Sequence, residues 1–214
     1  MKIENLIFDL DGTLLDSKRD IIYCMQKAYD SVKLDFDASK LLIGPPLEKI
    51  VNILSPDISP MLHAKVIENF RFFYMHTDFQ RTFLYEGVRE TLEFLKKEGL
   101  RLFIATNKPK KATSKVLQHF QLDSLFEFVG TPDGLQEGIL LSKTAVMAHI
   151  LQKFQLNAKQ TIMVGDTPPD ILAAKENQVA GIAFLGGYGK QEDLERSGAR
   201  FCIKYFKELL ELLS

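Results

Sequence analysis

Five short apolar runs, each bounded by turn-forming residues, constrain what this chain can fold into more than any other feature. They are Leu6-Ile7-Phe8, Leu102-Phe103-Ile104-Ala105, Phe126-Glu127-Phe128-Val129, Ile162-Met163-Val164 and Gly181-Ile182-Ala183-Phe184. A strand covered by helices on both faces reads as a near-continuous apolar run, because neither side meets water. Helical patterns separate the last four: Pro109 to Phe120, Ser142 to Phe154 and Pro168 to Asn177. Another, Val88 to Lys97, precedes the second run, with Val88, Leu92 and Leu95 at helix spacing. This alternation predicts an α/β fold whose parallel sheet is joined by right-handed crossovers.

Residues 16–82 break the rhythm. Helical patterns run from Asp20 to Val32, Pro46 to Leu54 and Met61 to Phe79, and no strand interrupts them. Turn signals at Gly44-Pro45-Pro46 and Ser55-Pro56-Asp57 divide the three. The expected organisation is therefore an α/β core of residues 1–15 and 83–214, carrying an inserted all-helical domain of residues 16–82. The aromatic cluster Phe70, Phe72, Phe73, Tyr74 and Phe79 reads as core of that helical insert.

Bulk properties exclude several classes of function. At 214 residues, with 46% hydrophobic and 26% charged residues, the chain has the balance of a globular protein large enough for a core plus a small domain. Its formal charge of −1 gives no electrostatic reason to expect nucleic acid. An anionic substrate must therefore be held by local positive charge. Cys24 and Cys202 are far apart and outside any CxxC pattern, so both read as reduced thiols. The apolar run near the start is too short for a signal peptide, and no stretch reaches the ~20 apolar residues of a membrane span. A cytoplasmic location with no membrane partner is the expectation. His63, His76, His119 and His149 lie on helical patterns away from the acidic motifs and read as surface or core-edge residues.

The chemistry concentrates at strand ends. Asp9 and Asp11, in Asp9-Leu10-Asp11-Gly12-Thr13, directly follow the first apolar run. Open α/β sheets bind ligands at the carboxyl ends of their strands. If extended geometry persists, side chains at i and i+2 face the same way, so both acids address one site. Asp166 follows the fourth run in Val164-Gly165-Asp166-Thr167-Pro168-Pro169-Asp170, and Asp170 sits one helical turn further on. Mg²⁺ favours carboxylate, carbonyl and water oxygens. Asp9, Asp166 and the Asp11 carbonyl offer part of such a set. Thr106-Asn107 follows the second run and opens a helix, where a hydroxyl and backbone N–H groups can hold phosphate oxygens. Lys143 starts a helix, a position that opposes the helix dipole unless the side chain points at an anion; Lys108 is an alternative cation.

These residues resemble the motifs of the haloacid dehalogenase superfamily of phosphohydrolases. Asp9-Leu10-Asp11-Gly12-Thr13 resembles the first motif, Thr106 the second, Lys143 the third, and Gly165-Asp166 with Asp170 the fourth, in the right order across essentially the whole chain. Thr106-Asn107-Lys108-Pro109 and Gly186-Gly187-Tyr188-Gly189 resemble the phosphoglycolate phosphatase-like branch. The resemblance implies a flavodoxin-like (Rossmannoid) parallel-sheet core with a small helical cap after the first motif. It further implies Asp9 as nucleophile, Asp11 as general acid and base, and Thr106, Asn107 and Lys143 as phosphate-binding residues. Mg²⁺ would be held by Asp9, Asp11, Asp166 and Asp170, and the substrate would be a small phosphorylated metabolite.

Pro168-Pro169 departs from the pattern of many relatives, which loosens the assignment of Asp170. Ile43-Gly44-Pro45-Pro46-Leu47 resembles the substrate-facing loop of phosphoglycolate phosphatase-like members and reads equally as a turn between helices. A sugar phosphomutase or a pyrophosphatase would use the same core motifs, although the basic, serine-bearing cap motif of β-phosphoglucomutase relatives is missing. A phospho-signalling receiver also combines acids, Thr and Lys, but is shorter and places its acceptor Asp after the third strand. Substrate and oligomeric state, monomer or homodimer, are left open.

Overall fold

A computed structural model of the chain describes residues 2–135 and 141–213. Its strands are β1 (Asn5–Phe8), β2 (Leu15–Asp16), β3 (Phe83–Leu84), β4 (Arg101–Ala105), β5 (Phe128–Gly130), β6 (Thr161–Gly165), β7 (Ala180–Phe184) and β8 (Phe201–Ile203). β2 and β3 form a two-stranded sheet. The other six form one sheet of order β5-β4-β1-β6-β7-β8 with every pairing parallel. Counting only these six strands, the order is 3-2-1-4-5-6, the Rossmann form of the expected α/β sheet.

By its internal contacts the chain divides into two compact units, residues 1–16 with 84–214 and residues 17–83. The second is helical, with α1 (Lys18–Asp30), α2 (Leu47–Leu54) and α3 (Pro60–His76). Ser59 caps α3 by accepting from Leu62 N, and Pro60 occupies its first turn, where the missing N–H costs nothing. Ile21, Met25 and Ala28 of α1 and Val66, Ile67 and Tyr74 of α3 are buried. The aromatic cluster expected to be core divides. Tyr74 and Phe79 are buried with rings 5.7 Å apart, whereas Phe72 is 57% exposed and its ring lies tilted against His76 at the surface. Phe72 lies two residues before Tyr74, a spacing that puts them on different helix faces.

The first unit adds α4 (Val88–Lys97), α5 (Lys110–His119), α6 (Lys143–Lys153), α7 (Pro168–Glu176), α8 (Gln191–Arg196) and α9 (Glu208–Leu213). All four residues of β1 are buried, because helices cover both sheet faces. On one face Ile7, Phe103 and Met163 pack with Val146, Met147 and Ile150 of α6 and Ala173 and Ala174 of α7. On the other, the Phe8 ring stacks on Phe206 at 6.0 Å and meets Phe126 edge-on at 6.4 Å. No helix among the described residues is long and apolar enough to cross a membrane.

Two local expectations shift. The third strand starts at Phe128 rather than Phe126, because Phe126 turns into the core and Glu127 pairs with Arg101. β8 at the sheet edge escapes the pattern, since its Phe201 is exposed and its run is only three residues.

Candidate active site

The register of the central strands assembles the site. Phe8 of β1 lies opposite Ile104 of β4 and Val164 of β6, so the three chains leave the sheet at the same level. They deliver Asp9 and Asp11, Thr106 to Lys108, and Asp166 respectively. The crossovers turn opposite ways on the two sides of β1, which opens a crevice at this point.

Extended geometry stops at Phe8. Asp9 N still donates to Val164 O at 3.0 Å, but the N–H groups of Leu14 and Leu15 fold back to Leu10 O at 3.0 Å. Gly12 makes the turn possible twice over. Its φ is +95°, and a Cβ there would lie 2.2 Å from Asp166 Oδ2. Because the chain turns, Asp9 and Asp11 find different partners. Asp9 Oδ1 lies 2.8 Å from Lys143 Nζ, while both Asp11 oxygens accept from Lys108 Nζ, at 2.8 and 2.9 Å.

Asp9, Asp166 and Asp170 are buried, and each offers an oxygen within 4.8 Å of those of the other two. Lys143 enters this cluster from the first position of α6, whose N-cap Ser142 accepts from Ala145 N. Its ammonium touches Asp9 and also donates to Asp170 Oδ1. Burial alone would lower its pKa, but Asp170 and Asp9 outweigh burial and raise it, so Lys143 stays charged. Asp170 Oδ2 accepts from Thr167 N at 2.9 Å and Thr167 Oγ1 at 2.7 Å, which closes the start of α7. Asp170 thus both positions Lys143 and caps a helix.

Burial, opposed by Lys143 and aided by Asp170, pushes the Asp9 carboxyl up to about 7. Asp166 is raised well above the ordinary carboxylate range by burial, then by Asp170 and Asp9. Three buried carboxylates facing one ammonium carry surplus negative charge, and desolvation makes that surplus costly. A hard divalent cation fits this donor set in charge and in chemistry. Asp11 supplies no carboxylate oxygen to the cluster, since its side chain belongs to Lys108; the expectation for it concerned the carbonyl.

Thr106 is buried, and its Oγ1 accepts from Lys108 N at 3.2 Å. α5 opens at Lys110 rather than directly after Thr106-Asn107, so these two sit in the strand-to-helix loop. Asn107 is half-buried there. Two features went unread in the sequence. One is the Lys108–Asp11 ion pair, whose signal was that the two residues follow adjacent strands. The other is the grip on Asp166, which accepts from Thr13 Oγ1 at 2.9 Å and from Tyr188 N at 2.8 Å.

The haloacid dehalogenase-like hydrolase family matches residues 6–184 of the chain. The chain belongs to that family. A phosphoglycolate phosphatase of Vibrio parahaemolyticus is 32% identical, the match covering 99% of this chain and 96% of that one. A crystal structure described as a predicted phosphoglycolate phosphatase from Haemophilus somnus superposes with a TM-score of 0.89 at 25% identity, covering 100% and 99% of the two chains. The tyrosine-protein kinase PtkA of Mycobacterium tuberculosis is 27% identical over 90% of this chain and 65% of its own length. Within the family, the full-length matches make this chain an enzyme of the phosphatase type.

Proposed function

We propose that the chain is a Mg²⁺-dependent phosphomonoester hydrolase that acts on a small phosphorylated metabolite through an aspartyl-phosphate. The observation that carries this reading is the buried constellation of Asp9, Asp166 and Asp170 around Lys143 at the sheet's switch point. Asp9, Asp166 and Asp170, with the Asp11 carbonyl, would hold Mg²⁺. When bound, the ion would supply positive charge to stabilise the phosphoryl oxygens.

In the first half-reaction an Asp9 oxygen attacks phosphorus, the bond to the leaving oxygen breaks, and Asp11 gives that oxygen a proton. In the second, water attacks the same phosphorus and gives its proton to Asp11. Asp9 returns as a carboxylate and inorganic phosphate leaves. Lys143, Thr106 and Asn107 hold the phosphoryl oxygens, and Lys108 orients Asp11. Acid–base help contributes about 10²–10⁴-fold, a small part of what phosphate-monoester hydrolysis requires. Fixed charge supplies the larger share.

The names of the Vibrio relatives make phosphoglycolate the first substrate to try. A cytoplasmic monomer or homodimer completes the reading. Asp9→Asn should abolish Mg²⁺-dependent phosphate release from an aryl phosphate; full activity in that variant would sink the mechanism. A screen of phosphorylated metabolites with the parent chain then identifies the substrate. Phosphate appearing on an added protein or sugar, rather than free in solution, would point to transfer instead of hydrolysis.

A further inference from the structure

The loop that follows β7, residues 186–189, holds Asp166 from the side opposite Thr13. Tyr188 N donates to Asp166 Oδ2 at 2.8 Å, and Gly189 N donates to the Asp166 backbone oxygen at 3.1 Å. The approach is so close that side chains are excluded. A Cβ on residue 187 would lie 2.3 Å from both Asp166 Cβ and Gly12 O, and one on residue 189 would lie 2.1 Å from Asp166 O. Thr13 Oγ1 takes the other carboxylate oxygen, Oδ1. Each oxygen of Asp166 therefore has one fixed donor, and the carboxylate cannot rotate without breaking both bonds.

The Tyr188 side chain secures the loop in turn. Its hydroxyl donates to Asp16 Oδ1 at 3.2 Å. The Tyr188 ring also lies against Gly12, where a Cβ would sit 2.7 Å from Cδ2. One residue thus reaches Asp166 by its backbone and the end of β2 by its side chain.

We propose that residues 187–189 are a positioning clamp for Asp166, and that the Tyr188 hydroxyl, through Asp16, keeps the clamp closed. This rests on the reading of Asp166 as a metal ligand. Its function is to hold the lone pairs left free on Asp166 aimed at the cation before the cation arrives. Partners that orient metal ligands typically change metal affinity by about 10–100-fold when removed.

The test is calorimetric titration of Mg²⁺ into the full chain and its variants, with thermal unfolding measured in the absence of metal. Gly187→Ala forces the loop off the carboxylate and should weaken Mg²⁺ binding by about 10–100-fold. Tyr188→Phe keeps the backbone donor and the ring but removes the hydroxyl, and should weaken binding by about 2–10-fold. Asp16→Asn combined with Tyr188→Phe should cost no more than the larger single effect, because both remove one link. Tyr205→Phe, an exposed site in the same unit, is the control. The loss should also appear in the Mg²⁺ concentration giving half-maximal activity. If Gly187→Ala does not fold, Tyr188→Phe decides. Parent-like Mg²⁺ affinity in Tyr188→Phe and in any folded Gly187→Ala overturns the clamp. A parent chain that binds no Mg²⁺ overturns the metal reading itself, and the clamp with it.

Discussion

Lys143 Nζ sits 2.8 Å from Asp9 Oδ1 while also donating to Asp170, so two buried carboxylates share one ammonium. Removing it should damage the protein in two ways. Lys143→Met should lower phosphate release by about 10²–10³-fold, as expected for loss of a preorganised charge in the transition state. It should also cost about 3–5 kcal/mol of stability, because a buried charge loses its partner. Aryl-phosphate hydrolysis and denaturant unfolding measure the two effects; near-parent activity would remove Lys143 from the phosphate-binding set.

The raised pKa values predict how stability and metal binding vary with pH. Asp9 holds its proton up to about 7 in the folded chain, chiefly through burial, whereas an unfolded Asp releases it near 4. Between those values the folded form binds more protons than the unfolded one, so the Asp9 contribution to metal-free stability declines as pH rises. Mg²⁺ needs the ionised form, so the stabilisation it confers should grow across the same window. Thermal unfolding with chelator and with Mg²⁺, from about pH 5 to pH 8, compares parent with Asp9→Asn. Identical pH profiles for the two chains would contradict this account.

In the helical unit, Asp20 is wholly buried at the start of α1. Its Oδ2 accepts from Thr82 Oγ1 at 2.7 Å and Arg81 N at 3.1 Å, with the Arg81 guanidinium 3.7 Å from Oδ1. Asp20→Ala strands two donors and should destabilise the chain by on the order of 3 kcal/mol. Asp20→Asn, which keeps an acceptor, should lose less. Equal midpoints for the two variants in urea would show that hydrogen bonding is not what Asp20 supplies.

The Arg101–Glu127 pair offers the contrast. It is bidentate, at 2.7 and 2.8 Å, but both side chains are about 40% exposed. The guanidinium holds Glu127 below the usual carboxylate range, so the pair's contribution is present at neutral pH and fades as pH falls through that lowered value. Solvent screening keeps it small. Glu127→Gln should cost less than about 1 kcal/mol at pH 7, and a larger loss would mean the pair is more desolvated than its exposure indicates.

The strands that carry the site were legible because burial on both faces leaves only apolar residues in Leu6-Ile7-Phe8 and Ile162-Met163-Val164. β8 was not, since an edge strand with exposed Phe201 has no such pattern. Among the site residues, Asp9, Asp166 and Lys143 could be proposed from their places at element ends. Their joint burial could not, because it depends on which strands become neighbours. Asp170 reads as a metal ligand only through the resemblance to the family's fourth motif, and the fold adds its bonds to Thr167 and Lys143. The role of Lys108 is hidden in the sequence because its partner, Asp11, lies 97 positions away.

That β1 occupies the middle of the sheet has a consequence for biosynthesis. Asn5 registers with Arg101 on one side and Thr161 on the other, and its side chain bonds Thr161 across 156 positions. At translation speeds of 5–20 residues per second, β1 waits roughly 8–30 s for its second neighbour to be made. Throughout that interval at least one edge of Leu6, Ile7 and Phe8 stays unpaired, even after β4 has been made. The nascent chain is therefore most exposed to misassociation before β6 is synthesised, and a chaperone that shields its first ten residues would protect it best.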